Sequence, residues 1–317
     1  MSLENQIPHQ YSLPWTDRNG FTHWSIALFW IIASFLLFQL FGSLVSVILL
    51  YYTSSEPLNL MELTSQLQDN LELVFVGNSV SQILFLGLGT WMITRLNSSK
   101  SQRRSYLRMQ HSGGGYKLYL GIVLLMIVIQ PLIWFLSWIN VQIPVSESLM
   151  QLEEMQTQLM EDFLRGNNYI VWTFIHIGIV PSICEEILYR GFTLRALEKS
   201  WGPVAAIVVS GVIFGVYHLR LTQALPLALI GILLGYIAWA TSSIFPAMIA
   251  HLVNNGGSVL TLYFFPDLNF AELSPERMPP VWLTLLSIGA TLTILYALKY
   301  LTRTGLYKQK YQHYEHV

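Results

Sequence analysis

The sequence predicts an all-α polytopic membrane helix bundle of about eight transmembrane helices, with N-terminus and C-terminus cytoplasmic. Three observations carry that reading. Hydrophobic residues make up 53% of the 317 and charged residues only 11%, with mean hydropathy +0.48, outside the usual range of soluble domains. Apolar runs close to the ~20 residues that cross ~30 Å of hydrocarbon recur along the chain. The connections between those runs alternate in charge.

The runs lie near 22–52, 73–94, 117–139, 168–189, 203–219, 223–242, 245–265 and 280–301. Backbone groups in lipid must bond within their own segment, so each run is expected as a helix. After the second run come Arg95, Lys100, Arg103, Arg104, Arg108 and Lys117; Arg195 and Lys199 follow the fourth, and Arg303, Lys308 and Lys310 the eighth. The first connection carries Glu56, Glu62, Asp69 and Glu72, and the third Glu147, Glu153, Glu154, Glu161 and Asp162. Basic loops stay cytoplasmic, which sets the predicted orientation. Between the third and fourth runs, Leu149, Leu152, Met155, Leu159 and Phe163 recur at helical spacing opposite a glutamate-rich face. That pattern predicts a helix at the outer interface, its apolar stripe packed on neighbours.

Other classes are disfavoured. A net charge of −1 gives no sign of a nucleic-acid partner, and the single cysteine, Cys184, cannot form an internal disulfide. Residues 1–20 are polar, with Pro8 and Pro14, and predict no cleavable signal peptide. The organisation expected is a cytoplasmic segment 1–21, transmembrane and interfacial helices over 22–164, a core over 165–265, and a last span with a basic tail over 266–317.

Charge inside such a chain is costly, roughly 2.5–3.5 kcal/mol per residue at a helix centre even on the lenient insertion scale. Glu185-Glu186-Ile187-Leu188-Tyr189-Arg190 is therefore the first candidate site. Glu186 and Arg190, at i and i+4, share a helix face and can pair. Glu185 points about 100° away and keeps its carboxylate free for proton work. In the fifth run Phe214 and His218 share a face, with Gly211 and Gly215 as a small-xxx-small pair. In the seventh, His251 and Asn255 share a face. Ser200-Trp201-Gly202-Pro203 reads as a turn. Roughly 16 residues separate Glu185 from it and roughly 17 separate it from His218, so both arms of an antiparallel hairpin reach ~24 Å and bring the two residues opposite each other.

Each element by itself has a plainer reading. A Glu–Arg pair in a membrane is as well explained by a structural clasp or an ion path. A lone histidine is more often a packing residue, and His176, on the face opposite Glu185, is read that way. Cys184, Ser182 and Ser210 are read as helix-packing residues. No HExxH occurs, and Asp17, Asp69, Asp162 and Asp267 all fall outside the runs, which removes a zinc helix of that type and an aspartyl dyad.

In order, EExxxR (Glu185, Glu186, Arg190), FxxxH (Phe214, His218) and HxxxN (His251, Asn255) resemble the CAAX-processing and bacteriocin-processing membrane proteases, the Abi or CPBP family that includes the type II prenyl-protein endopeptidases. The resemblance covers roughly 165–260. It implies an intramembrane endopeptidase acting on a membrane-associated protein or peptide substrate, multi-pass in the cell (plasma) membrane. In that family Glu185 and His218 would activate the attacking water, His251 and Asn255 would stabilise the oxyanion, and Glu186 with Arg190 would hold the site together. The residues fit a metal-free mechanism, which is preferred, and also a divalent metal such as zinc held by Glu185, His218 and His251. Two alternatives stand beside the protease: a non-proteolytic bacteriocin-immunity or scaffold protein of the same family, and a small transporter using the buried charges as an ion relay.

Overall fold

The computed structural model describes residues 13–54, 58–99, 102–165, 170–265 and 277–312, and no strand occurs among them. Residues 1–12, Glu56, Lys100 and Asp267 lie outside the described residues, as do the side chains of Arg303, Lys308 and Lys310. The main helices are α1 (His23–Thr53), α2 (Leu71–Leu96), α3 (Gly115–Asn140), α4 (Glu147–Arg165), α5 (Ile170–Trp201), α6 (Pro203–Tyr217), α7 (Leu221–Thr241), α8 (Phe245–Phe264) and α9 (Val281–Gln312).

Six of these are long and apolar enough to cross a membrane: α1, α2, α3, α5, α7 and, over Val281–Thr302, α9. The other two predicted spans differ for separate reasons. α6 has 15 residues, about 22 Å of helix, and falls short of the hydrocarbon thickness. α8 has 20 residues, but His251, Asn254 and Asn255 interrupt its apolar character. The two helices that depart from a plain span are thus the ones that bear His218 and His251. α7 and α5 lie deepest, burying 50% and 44% of their apolar stretches, against 22% each for α1, α3 and α9.

The predicted hairpin forms at the expected turn. α5 ends at Trp201, Gly202 takes a φ of +80° that favours glycine, and Pro203 opens α6. α6 then lies against α7 through its glycines. A Cβ on Gly211 would stand 2.5 Å from the backbone nitrogen of Ile232, and one on Gly231 2.6 Å from the carbonyl oxygen of Gly211. Lipid supplies no hydrophobic drive between helices, so such close backbone approach and the dispersion contacts it allows hold this pair. A core of Leu118, Ile122, Leu125, Leu194, Leu234 and Ala250, all fully buried, joins α3, α5, α7 and α8.

The basic connection after α2 folds back onto α5. Arg108 donates to Glu198 at 2.9 Å, and Arg195 donates to the same carboxylate oxygen at 2.8 Å. Burial pulls the Arg108 guanidinium down to about 10, with Glu198 pulling it back up. The carbonyl of Arg108 also accepts the amide of Ile244 at 3.0 Å, which ties the start of α8 to this loop.

α4 forms as predicted, but with a different inner face. Leu149, Leu152 and Met155 are exposed, whereas Glu153 and Phe163 are buried. The stripe expected to pack inward therefore faces out along most of its length. Phe163 is its buried end, stacked on Phe75 of α2 with ring centroids 3.6 Å apart.

Candidate active site

The site forms where α5, α6, α7 and α8 converge, and buried Glu186 is its electrostatic centre. One carboxylate oxygen of Glu186 accepts from Arg190 Nη1 at 2.9 Å and from His251 Nδ1 at 2.9 Å. Arg190 Nη2 donates on to the Gly231 carbonyl in α7 at 3.1 Å, and its guanidinium lies 4.4 Å from the centre of the Phe214 ring in α6. One arginine therefore links three helices. An unpaired ion at such depth would carry a large desolvation cost, which the carboxylate, the carbonyl and the ring together offset.

The network continues along α8. Asn255 Nδ2 donates to His251 Nε2 at 3.2 Å and to the Ile177 carbonyl of α5 at 3.2 Å. With Nε2 accepting and Nδ1 bonded to Glu186, His251 is assigned as the neutral Nδ1–H tautomer. Asn254, pointing elsewhere on the helix, donates to Asn255 Oδ1 at 3.2 Å. Glu186, Arg190, His251 and Asn255 are thus brought together as one hydrogen-bonded unit.

Glu185 and His218 stand outside that unit. Among the described residues no hydrogen bond joins them, although Tyr217, next to His218, lies within electrostatic range of Glu185. Glu185 is half-buried, its Oε2 is buried without a hydrogen-bond partner among the described residues, and it lies within electrostatic range of Tyr189, Arg190 and Tyr217. His218, also half-buried, has Nδ1 2.8 Å from the Phe214 carbonyl. A carbonyl accepts only, so Nδ1 carries a proton, and in the neutral ring the lone pair is then on Nε2.

Phe214 is the residue that the motif reading undervalued. Its ring packs against His218 at 4.8 Å, Tyr189 at 5.2 Å and His251 at 5.7 Å between centroids. Its carbonyl orients His218 and its π face covers Arg190. The signal for this was present in the i, i+4 spacing of Phe214 and His218, which places the carbonyl of one beside the ring of the other. Tyr217 extends the aromatic layer, 5.5 Å from Tyr189.

Local backbone form also shapes the site. α5 is π-helical over Phe174–Ile179 and over Ile187–Thr193, on either side of the glutamate pair. π-bulges widen a helix by a residue per turn and are frequent at functional sites. The residues read as packing groups behave so: His176 Nδ1 lies 2.5 Å from Ser79 Oγ, Ser182 donates to the Gly178 carbonyl, Ser210 donates to the Ile207 carbonyl, and Cys184 is buried.

The metal set considered from the sequence is not assembled. Among the described residues no three His, Cys, Asp or Glu side chains are grouped so as to hold a metal ion. The physical reason lies in His251, whose two nitrogens are taken up by Glu186 and Asn255. Beside the site, a cavity of about 670 Å³ runs between α5 and α8, walled by apolar residues such as Ile179, Ile183, Met248 and Leu252 and reaching Arg104 and His111 in the basic connection. It adjoins the network, since Ser182 lies one turn before Glu186 and Leu252 follows His251.

Residues 167–257 match the family model described as type II CAAX prenyl endopeptidase Rce1-like. The match covers the glutamate pair, the Phe214–His218 segment and the His251–Asn255 segment. Comparison with curated proteins and with solved structures gives no match. The six apolar helices together with the match mark an integral, multi-pass membrane protein in which residues 167–257 are similar to a peptidase family.

Proposed function

We propose, on the premise that residues 167–257 belong to the type II CAAX prenyl endopeptidase Rce1-like family, that the protein is an intramembrane endopeptidase of the plasma membrane and hydrolyses a peptide bond in a membrane-associated protein or peptide. The peptidase core spans 165–265. The observation that carries the reading is Glu185 Oε2, buried without a hydrogen-bond partner among the described residues, with His218 held through Nδ1, beside the buried Glu186–Arg190–His251–Asn255 network.

In this reading Glu185 and His218 orient a water molecule and take its proton as the oxygen bonds to the scissile carbonyl carbon. The carbonyl π electrons move to oxygen, giving a tetrahedral oxyanion. Asn255 is the donor assigned to the oxyanion, redirecting the hydrogen it gives His251, in a site shielded from bulk water. Collapse breaks the C–N bond, and the proton held by the Glu185–His218 pair passes to the leaving amine. Glu186 and Arg190 hold α5, α7 and α8 in register throughout. The cavity between α5 and α8 gives an apolar substrate segment a lateral route from the bilayer.

The test is cleavage of membrane-tethered peptides by the purified protein in proteoliposomes, with products mapped by mass spectrometry. Wild-type protein is expected to give defined internal fragments. His218→Ala is expected to lose about 10²–10⁴-fold in rate and to recover part of it with added imidazole. Fragments formed equally by His218→Ala would overturn the assignment of the base, and no fragments from the wild-type protein would favour a scaffold or relay role.

A further inference from the structure

His218 is the last ordered step of α6 before a sharp change of direction. Leu219 has a φ of +52°, which is strained for a leucine, and α7 starts at Leu221. α6 holds the near side of this turn, where the Leu219 amide donates to the Val216 carbonyl at 3.0 Å and His218 Nδ1 to the Phe214 carbonyl, and the far side is held by other elements. Two buried polar side chains, one from α4 and one from the end of α3, take hold of it there.

The first is Glu153 of α4, 5% exposed although its sequence pattern predicts an outward face. Its Oε1 accepts the amide of Leu221 at 2.6 Å, and its Oε2 accepts the amide of Thr222 at 3.1 Å together with the Thr222 hydroxyl. A carboxylate over the first free amides of a helix is a strong, charge-assisted cap. From the same helix, Thr157 accepts from Arg220 Nη2 at 2.6 Å. Burial lowers the Arg220 pKa, and the Glu153 charge raises it again. The second is Asn140 at the end of α3, 1% exposed, which donates to the Leu221 carbonyl at 2.7 Å and accepts the Leu225 amide at 2.7 Å.

We propose that Glu153 and Asn140 are positioning residues for His218: α4 is a strap that clamps the 219–225 turn, so that the acidic connection sets the aim of the base. The inference rests on the reading of His218 as the base. α4 has little other reason to turn this face inward. Its leucines stay outside, and its buried anchors are Glu153 on the turn and Phe163 on α2. The inversion of its apolar pattern follows from the need to deliver a carboxylate to Leu221 and Thr222.

The experiment uses the full chain in detergent micelles, as wild type, Glu153→Ala, Glu153→Gln and His218→Ala. Hydrogen–deuterium exchange of the 219–225 peptide is read beside kcat and KM for cleavage of a membrane-tethered peptide. Loss of the carboxylate is expected to speed exchange at Leu221 and Thr222 about 10–100-fold, the range for hydrogen bonds to a charged group. It is also expected to lower kcat about 10–100-fold through misplacement of the base, with KM within about twofold. Glu153→Gln keeps an acceptor oxygen in the same volume and is expected to fall between wild type and Glu153→Ala in both readouts; it also serves if Glu153→Ala fails to fold. Unchanged exchange would overturn the clamp. Faster exchange with unchanged kcat would overturn the positioning role. Wild-type cleavage by His218→Ala would overturn the base assignment, and the positioning role with it, and is told apart because the exchange measurement needs no activity.

Discussion

At the residue scale the two adjacent glutamates differ in burial and in partners. Glu186 is fully buried and shares Oε1 between Arg190 and His251, whereas Glu185 is half-buried and takes no part in that network; the Oε2 of each has no hydrogen-bond partner among the described residues. Glu186→Gln leaves the Arg190 guanidinium buried without its counter-charge. It is expected to cost about 3–5 kcal/mol of stability, the usual penalty for breaking a buried pair on one side. Thermal unfolding in micelles reads this as a large fall in Tm, and an unchanged Tm would show that the pair is not what holds the helices. Arg190→Lys keeps the charge, yet it is expected to be destabilising as well, because an ammonium cannot bond Glu186 and Gly231 in a planar fork while stacking on Phe214. The Glu186–Arg190 pair was legible from i, i+4 spacing. The bond from His251 to Glu186 was not, because no one-dimensional pattern states which of two neighbouring carboxylates a third helix meets.

At the scale of elements, the α5–α6 hairpin was legible from chain arithmetic and from Gly202-Pro203, and the α6 contact face from Gly211 and Gly215. A side chain at Gly211 has no room against Ile232. Gly211→Val is expected to push α6 from α7 at about 1–3 kcal/mol, as overpacking does, and to lower cleavage by displacing Phe214 and His218 together. Tm and kcat measured on the same sample check this; a fall in Tm with full activity would separate the contact from the site. The π-helical turns of α5 left no trace in the sequence, since they arise from packing against neighbours and not from propensity. The inner face of α4 was misread for a related reason. Its glutamates look solvent-bound in periodicity, and the buried backbone amides at Leu221 and Thr222 that draw Glu153 inward belong to another element.

For the whole molecule, composition and run length were enough to reach an all-α membrane bundle. They were less informative for α6 and α8, where short length and polar residues blur the signal of a span. Loop charge predicts that Glu62 and Lys117, both exposed, lie on opposite sides of the membrane. Single cysteines at these positions in a Cys184→Ala background are expected to react differently with an impermeant maleimide on intact cells, Glu62→Cys at once and Lys117→Cys only after lysis. Equal labelling of both would contradict the predicted orientation.

The division of labour between the two glutamates is most directly tested by kcat and Tm of Glu185→Gln, measured together. Glu185 makes no hydrogen bond to its neighbours through Oε2, so the amide is expected to leave Tm within a few degrees of wild type while kcat falls about 10²–10⁴-fold. A Glu185→Gln protein that folds normally and cleaves at the wild-type rate would contradict the account.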